Sequence, residues 1–302
     1  MPVKPRIGVV TVTYNSGSVL EPFLKCVFEQ TDADLMLFAV DNASTDTTLQ
    51  ILNQSDDTRL ISIANSKNRG VAEGNNQGIR AALDAGCESV LLVNNDTEFD
   101  ATLFSSLVAG LQRYDVGMIC PKMMFYDEPQ RIWAAGGKFQ PLFGYRAVHL
   151  GADQIDTGQH DQAKLVTYAP TCCVLIQKQV FDQIGFMDER YFVYSDDVDF
   201  MYRAMRHGIK LMYFPEALLY HKVGRLTGGC NSLFSHRYCT RNRVFFMLLH
   251  LGVFASVPAL IFYEMYFVAG FLSRKFGLTA LRVKQNALFE GVGMWRSSPR
   301  PR

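Results

Sequence analysis

Short apolar runs alternate with amphipathic stretches through the first third of the chain. Residues 7–12 (Ile-Gly-Val-Val-Thr-Val) form a β-branched run that stops at Thr13-Tyr14-Asn15, the pattern of a buried parallel strand whose carboxyl end opens a site. Ser18 and Glu21 then have the spacing of a helix capping box, and Leu20, Phe23, Leu24, Val27 and Phe28 recur on one helical face. The alternation continues with strands over 35–40, 60–63 and 90–93 and helices over 45–53 and 71–85. That order predicts a doubly wound, Rossmann-like α/β sheet. Ligands of such sheets bind beyond the carboxyl ends of the strands. Three polar clusters fall there: 13–15, Asp41-Asn42, and 94–96, which points to one shared site.

After Pro121 the rhythm weakens through Trp133-Ala134-Ala135-Gly136-Gly137 and a polar stretch over 151–164, as in an irregular, substrate-specific half. Regularity returns with a strand over 171–176, helices over 178–184 and 197–207, and a strand over 210–214. The run 245–263 is apolar apart from His250, and beyond Glu264 apolar character resumes to Leu272. Its length suits a bilayer. Arg241 and Arg243 precede it while Arg274, Lys275, Arg282 and Lys284 follow, so both flanks favour the cytoplasmic side. With Pro258 inside, the reading is two helices lying in one leaflet, bent at the proline. Burial against protein is the other reading. The chain thus divides into a catalytic domain at 1–240, with halves at about 1–120 and 121–240, and a hydrophobic, basic helical region at 241–302.

Composition removes several classes. The 302 residues carry a net charge of +1, so no field attracts nucleic acid and no nucleic-acid partner is implied. Seven cysteines, none spaced C-x-x-C, suggest neither a disulfide framework nor a structural zinc site and fit a reducing cytoplasm. The 7–12 run is too short for a signal-peptide core. A nicotinamide oxidoreductase would share the alternation, but the turn after the first strand has only Gly17 and no G-x-G-x-x-G.

Candidate chemistry lies at the strand ends. Asn94-Asn95-Asp96 is either an Asx turn or a place where Asp96 holds a divalent cation against two phosphates. Asp41 either accepts a hydrogen bond from a nucleoside or belongs to the turn before a helix capped near Ser44. Arg69 can pair with phosphate, while Gly70, Gly74 and Gly78 admit either a ligand or close packing. Asp196, Asp197 and Asp199 open a helix, complementing its dipole or supplying Asp197 as a base for an acceptor hydroxyl. His221 is either a second metal ligand or an ordinary buried histidine.

Together, residues 11–15 (TVTYN), 40–46 (VDNASTD), 68–70 (NRG), 94–97 (NNDT) and 196–199 (DDVD) resemble family 2 glycosyltransferases of the GT-A fold, in the rhamnosyltransferase-like branch. The resemblance covers about residues 6–243. It implies an inverting hexosyl transfer, with Mg²⁺ or Mn²⁺, from a dTDP- or UDP-sugar, dTDP-rhamnose above all. The acceptor implied is a glycan or lipid-linked saccharide of surface-polysaccharide synthesis, at the inner face of the membrane. It places Thr13, Tyr14, Asn15, Asp41, Arg69, Asn95 and Asp96 at the nucleotide-sugar and Asp96 with His221 on the metal. Asp197 becomes the base, with Trp133, Gly136, Gly137 and Asp196 near donor sugar and acceptor. Asn242, between two arginines, also fits the family without an assigned role. The usual D-x-D metal motif is reduced here, since Asn94 and Asn95 leave Asp96 as its only charge. An inactive nucleotide-sugar-binding scaffold of the same fold is the alternative.

Overall fold

The computed structural model describes residues 6–224 and 232–298. The first half reads β1 (Ile7–Thr13), α1 (Gly17–Phe28), β2 (Leu35–Asp41), α2 (Thr48–Asn53), β3 (Leu60–Ala64), α3 (Val71–Asp84), β4 (Ser89–Val93), β5 (Thr97–Phe99) and α4 (Leu103–Tyr114). There follow β6 (Met118–Phe125), β7 (Ile132–Ala134), β8 (Gly137–Gln140), β9 (Arg146–His149), β10 (Lys164–Val166) and β11 (Cys173–Gln177). The chain continues through α5 (Lys178–Ile184), α6 (Asp196–Arg206), β12 (Leu211–His221), α7 (Leu233–Leu272) and α8 (Leu278–Ser297).

The main sheet has the order β10-β12-β6-β11-β4-β1-β2-β3, with β5 added to β12 and β7 to β6. Strands β4, β1, β2 and β3 run parallel, whereas β11 is antiparallel to both β4 and β6, so the sheet is mixed. The expected α/β class with a C-terminal helical extension is what the chain forms. Two compact units are distinguished: Met1–Lys138, Val148–Phe192 and Asp196–Leu226 in one, Phe139–Ala147, Val193–Ser195 and Thr227–Arg302 in the other.

The parallel strands are apolar on both faces because helices cover them; Val9, Val10, Leu37, Val40, Leu91 and Leu92 are all buried. Helix α3 comes close to β1 because Gly74 and Gly78 carry no side chain. A Cβ on Gly78 would enter the Val10 side chain and one on Gly74 would meet Val12. The packing reading of these two glycines therefore holds. A methyl group there would force strand and helix apart at about 1–3 kcal/mol.

Two expectations change, and two features are added. The Ser18–Glu21 capping box does not form, since α1 already begins at Gly17. Its start is held from outside, Gly17 N–H donating to Asp46 and Ser16 N–H to Thr48. Helix α4 and strand β5 follow the 94–96 cluster, where the amphipathic signal of 103–114 went unread. Pro121 lies inside β6 and does not end it. β11 pairs with β6 only at Met118 and Ile119, and β7 takes over at Met123, so no neighbour on that edge requires a donor from residue 121. Finally, α7 breaks at Gly252 (φ 76°, ψ 171°), not at Pro258. Glycine adopts that conformation freely, whereas Pro258 lies within the following helix. The break divides the apolar run: Val244 to Leu248 are buried, while Phe254, Ile261, Phe262, Met265 and Leu272 are exposed, Phe254 at 94%.

Cys26, Cys87, Cys120, Cys172, Cys173 and Cys239 are free thiols, and Cys230 lies outside the described residues.

Candidate active site

Because β4, β1 and β2 are parallel neighbours, their polar carboxyl ends meet along one edge. Asn95 donates from Nδ2 to the Val12 carbonyl at 2.7 Å, tying the β4 end to β1. Thr13 Oγ1 donates to Asp41 Oδ1 at 2.9 Å, tying β1 to β2. Asp41 also accepts from the Ser44 N–H at 2.9 Å and the Ser44 hydroxyl at 2.5 Å, so the turn chemistry read from the sequence is present. Asn15, at φ 51°, accepts from the Thr45 N–H at 2.8 Å. Tyr14 leaves its ring exposed.

Asn42, buried beside Asp41, links this edge to the start of α3. Its Nδ2 donates to the Gly70 carbonyl at 2.9 Å and its Oδ1 accepts from Asn65 at 3.0 Å. Gly70 has φ 88° and lies against Phe192, so a side chain is excluded there both by conformation and by space. Arg69 pairs with Glu73 at 2.6 Å, while its buried Nε has no hydrogen-bond partner.

The two metal candidates are brought together. β5 pairs antiparallel with the end of β12, Thr97 opposite His221, and this sets Asp96 Oδ1 3.2 Å from His221 Nε2. Both side chains are nearly buried, and the approach is not aligned as a hydrogen bond: Asp96 Oδ1 has no hydrogen-bond partner. Oxygen and nitrogen at this spacing match two adjacent ligands of an octahedral ion with bonds of about 2.1 Å. Glu98 is not a third ligand, because Lys222 holds it at 2.5 Å. Among the described residues no group of three or more His, Cys, Asp and Glu side chains is arranged to hold a metal ion. The pair therefore fits an ion that takes its other ligands from phosphate and water, the common Mg²⁺ arrangement.

From His221 a row of rings leads to the acidic helix. Trp133 packs edge-on against His221 at 4.4 Å and against His149 at 4.8 Å between centroids. His149 stacks on Tyr168 at 5.9 Å, and the Tyr168 hydroxyl donates to Asp197 Oδ2 at 2.5 Å. Gly137 makes this possible, since a Cβ on it would meet the Tyr168 ring, and Gly136 turns the chain at φ 70°. His149 and Tyr168 were not picked out from the sequence. They lie beside irregular segments with no periodic signal, and only their distant partners reveal them.

The three acids of α6 separate into different environments. Asp199 accepts from Arg203 at 2.7 Å and from the Tyr191 hydroxyl at 3.3 Å, a structural role. Asp196 is 4% exposed, and its Oδ2 has no hydrogen-bond partner. Burial and the adjacent Asp197 push its carboxyl up to about 8. Asp197 keeps part of its surface open. Burial raises its carboxyl as well, while the bonds from Tyr168 and the Val198 N–H oppose that shift. Burial holds His149 below the usual histidine range, against the pull of Asp197.

The sequence profile of glycosyl transferase family 2 matches residues 8–185. That is more than half the chain, and the chain belongs to this family of glycosyltransferases. The low-salt glycan biosynthesis hexosyltransferase Agl10 of Haloferax volcanii is 27% identical over 206 residues, covering 68% of this chain and 63% of that protein. The N-acetylglucosaminyl-diphospho-decaprenol L-rhamnosyltransferase of Mycobacterium tuberculosis is 28% identical over 243 residues, covering 74% and 78%. A mannosyltransferase from Pyrobaculum calidifontis, in complex with GDP-Man and Mn²⁺, superposes with a TM-score of 0.58 at 14% identity. The match covers 98% of this chain and 89% of that one. The fold is GT-A.

The Asp196 environment has a consequence for stability. The folded chain keeps this proton between an ordinary aspartate value of about 3.9 and about 8, and unfolding releases it, so stability falls as pH rises across that interval. Asp196→Asn should remove this contribution. Its thermal midpoint relative to the parent chain is expected to climb from pH about 4 to about 8; parallel profiles would contradict the assignment.

Proposed function

We propose that the chain is an inverting, metal-dependent hexosyltransferase that moves rhamnose from dTDP-rhamnose to a glycan or lipid-linked saccharide in cell-surface polysaccharide synthesis. The observation that carries the reading is the convergence of Asp96 Oδ1 and His221 Nε2, 3.2 Å apart and without a hydrogen bond, on the same ring row that ends at Asp197. The L-rhamnosyltransferase relative supports the sugar.

In this reading Thr13, Tyr14, Asn15 and Asp41 frame the nucleoside, and Arg69 offers its remaining donors to phosphate. Asn95 joins β4 to β1 beneath the diphosphate. Asp96 and His221 would hold Mg²⁺ or Mn²⁺, which when bound would supply positive charge to stabilise the leaving diphosphate. Trp133, Gly136 and Gly137 border the sugar and acceptor. The acceptor oxygen attacks the anomeric carbon as the bond from that carbon to the β-phosphate oxygen breaks. The bonding pair leaves with the nucleoside diphosphate, and the acceptor proton passes to Asp197. Asp196, protonated in its buried setting, leaves the negative charge of the pair on Asp197.

The helical region serves the acceptor side. α7 alone among the described helices has the length and apolarity of a membrane span. Its segment after Gly252 exposes apolar side chains, and the exposed cations Arg274, Lys275 and Arg282 follow it. Such a surface lies in the headgroup region of an anionic leaflet, here the inner one, and makes the protein peripheral or monotopic on the cytoplasmic side.

Purified protein incubated with a panel of dTDP- and UDP-sugars should release nucleoside diphosphate from dTDP-rhamnose with Mg²⁺ or Mn²⁺ and not with EDTA. Asp197→Asn is expected to lower this turnover about 10²- to 10⁴-fold with nucleotide binding retained. Metal-independent release, or an unaffected variant, would defeat the mechanism; nucleotide binding without any turnover, even with lipid-linked acceptors, would favour a scaffold. In flotation assays the protein should rise with vesicles containing anionic lipid, and Phe254→Asp with Ile261→Asp should leave it at the bottom. Equal flotation of the double variant would contradict the membrane surface.

A further inference from the structure

The chain that enters α6 is held in an uncommon conformation. Phe192 has φ 64° and ψ −60°, Tyr194 has φ 61° and Ser195 φ 64°. Three non-glycine residues of positive φ within four positions persist only where the surroundings hold them. In the first unit the Phe192 carbonyl accepts from the Val71 N–H at 2.5 Å. In the second unit Asn242 does the holding. Its Nδ2 donates to the Val193 carbonyl at 2.7 Å and to the Tyr194 carbonyl at 2.8 Å, so one amide group grips two successive peptides. The Tyr194 hydroxyl also meets Ser235 Oγ at 3.2 Å.

Asn242 is suited to this grip. It is fully buried, and its Oδ1 accepts from Arg241 Nε at 2.8 Å, which orients the amide with its nitrogen toward the two carbonyls. An aspartate of the same size would set an oxygen against them. The residue after Ser195 is Asp196, the first of α6, and Asp197 follows it. The direction in which the chain leaves Ser195 thus sets where the Asp197 carboxylate lies.

We propose that Asn242 is a positioning residue for Asp197, acting through the Val193–Ser195 segment whose left-handed backbone it secures. The inference rests on Asp197 being the base, and it explains why an asparagine of α7 matters to chemistry it does not touch.

The test compares Asn242→Ala and Asn242→Asp with the parent by kcat and KM for donor turnover, nucleoside diphosphate binding and thermal melting, each also in an Asp197→Asn background. Folded variants should lose about 10- to 100-fold in kcat while nucleotide affinity stays within about twofold. In the Asp197→Asn background the same change should cost nothing further, because the carboxylate it aims is gone. Adding Ser195→Gly to Asn242→Ala should restore part of the lost turnover, since glycine holds positive φ unaided. Full turnover in folded Asn242 variants, an equal loss in the Asp197→Asn background, or nucleotide binding and folding lost together with turnover would each overturn the role. Undiminished turnover of Asp197→Asn itself would instead remove the base assignment, and the inference with it.

Discussion

The short antiparallel pairing of Thr97–Phe99 with the end of Leu211–His221 is the contact on which the site depends. It closes a polar turn at the end of a parallel strand against a residue from the far end of the same unit, and so places a carboxylate oxygen beside an imidazole nitrogen in a nearly buried position. Two such groups, left unbonded to each other, are costly to bury unless something satisfies both. In the proposed reading a divalent ion does so. The surrounding residues support that outcome: Lys222 occupies Glu98, Asn95 is turned to the Val12 carbonyl, and Trp133 closes one face of His221. In that reading the histidine opposite Asp96 takes the place of the acids that the N-N-D motif lacks.

The acids of α6 show how burial sorts identical side chains. Asp199 is neutralised by Arg203, Asp196 is driven toward its protonated form, and Asp197 accepts from Tyr168 on one oxygen and from the Val198 N–H on the other while keeping part of its surface open. A dipole-complementing cluster would have left all three similarly solvated. Their difference arises from what faces each one, a property of tertiary packing and not of the motif.

Much of the architecture was legible because local patterns coincide with long-range ones in the parallel half. Runs at 7–12, 35–40 and 90–93 are buried on both faces, so their apolar content and their polar ends both mark them. Asp41, Asp96 and His221 were found because each stands at or just beyond the end of an apolar run. His149 and Tyr168 were not, because each acts through a partner distant in sequence and adjoins an irregular segment. Pro121 is tolerated inside a strand because it lies where one neighbouring strand has ended and the next has not begun. Pro258 misled by its usual meaning, while Gly252 carried the break that the apolar run concealed.

The central claim is that Asp96 and His221 hold a divalent ion jointly with the donor diphosphate. Mn²⁺ titrations followed by electron paramagnetic resonance test it directly. The account predicts that the free-ion signal falls on adding protein only when dTDP is present, and that Asp96→Ala and His221→Ala each abolish the loss. Equal Mn²⁺ uptake by both variants, or uptake by the parent chain indifferent to nucleotide, would contradict it.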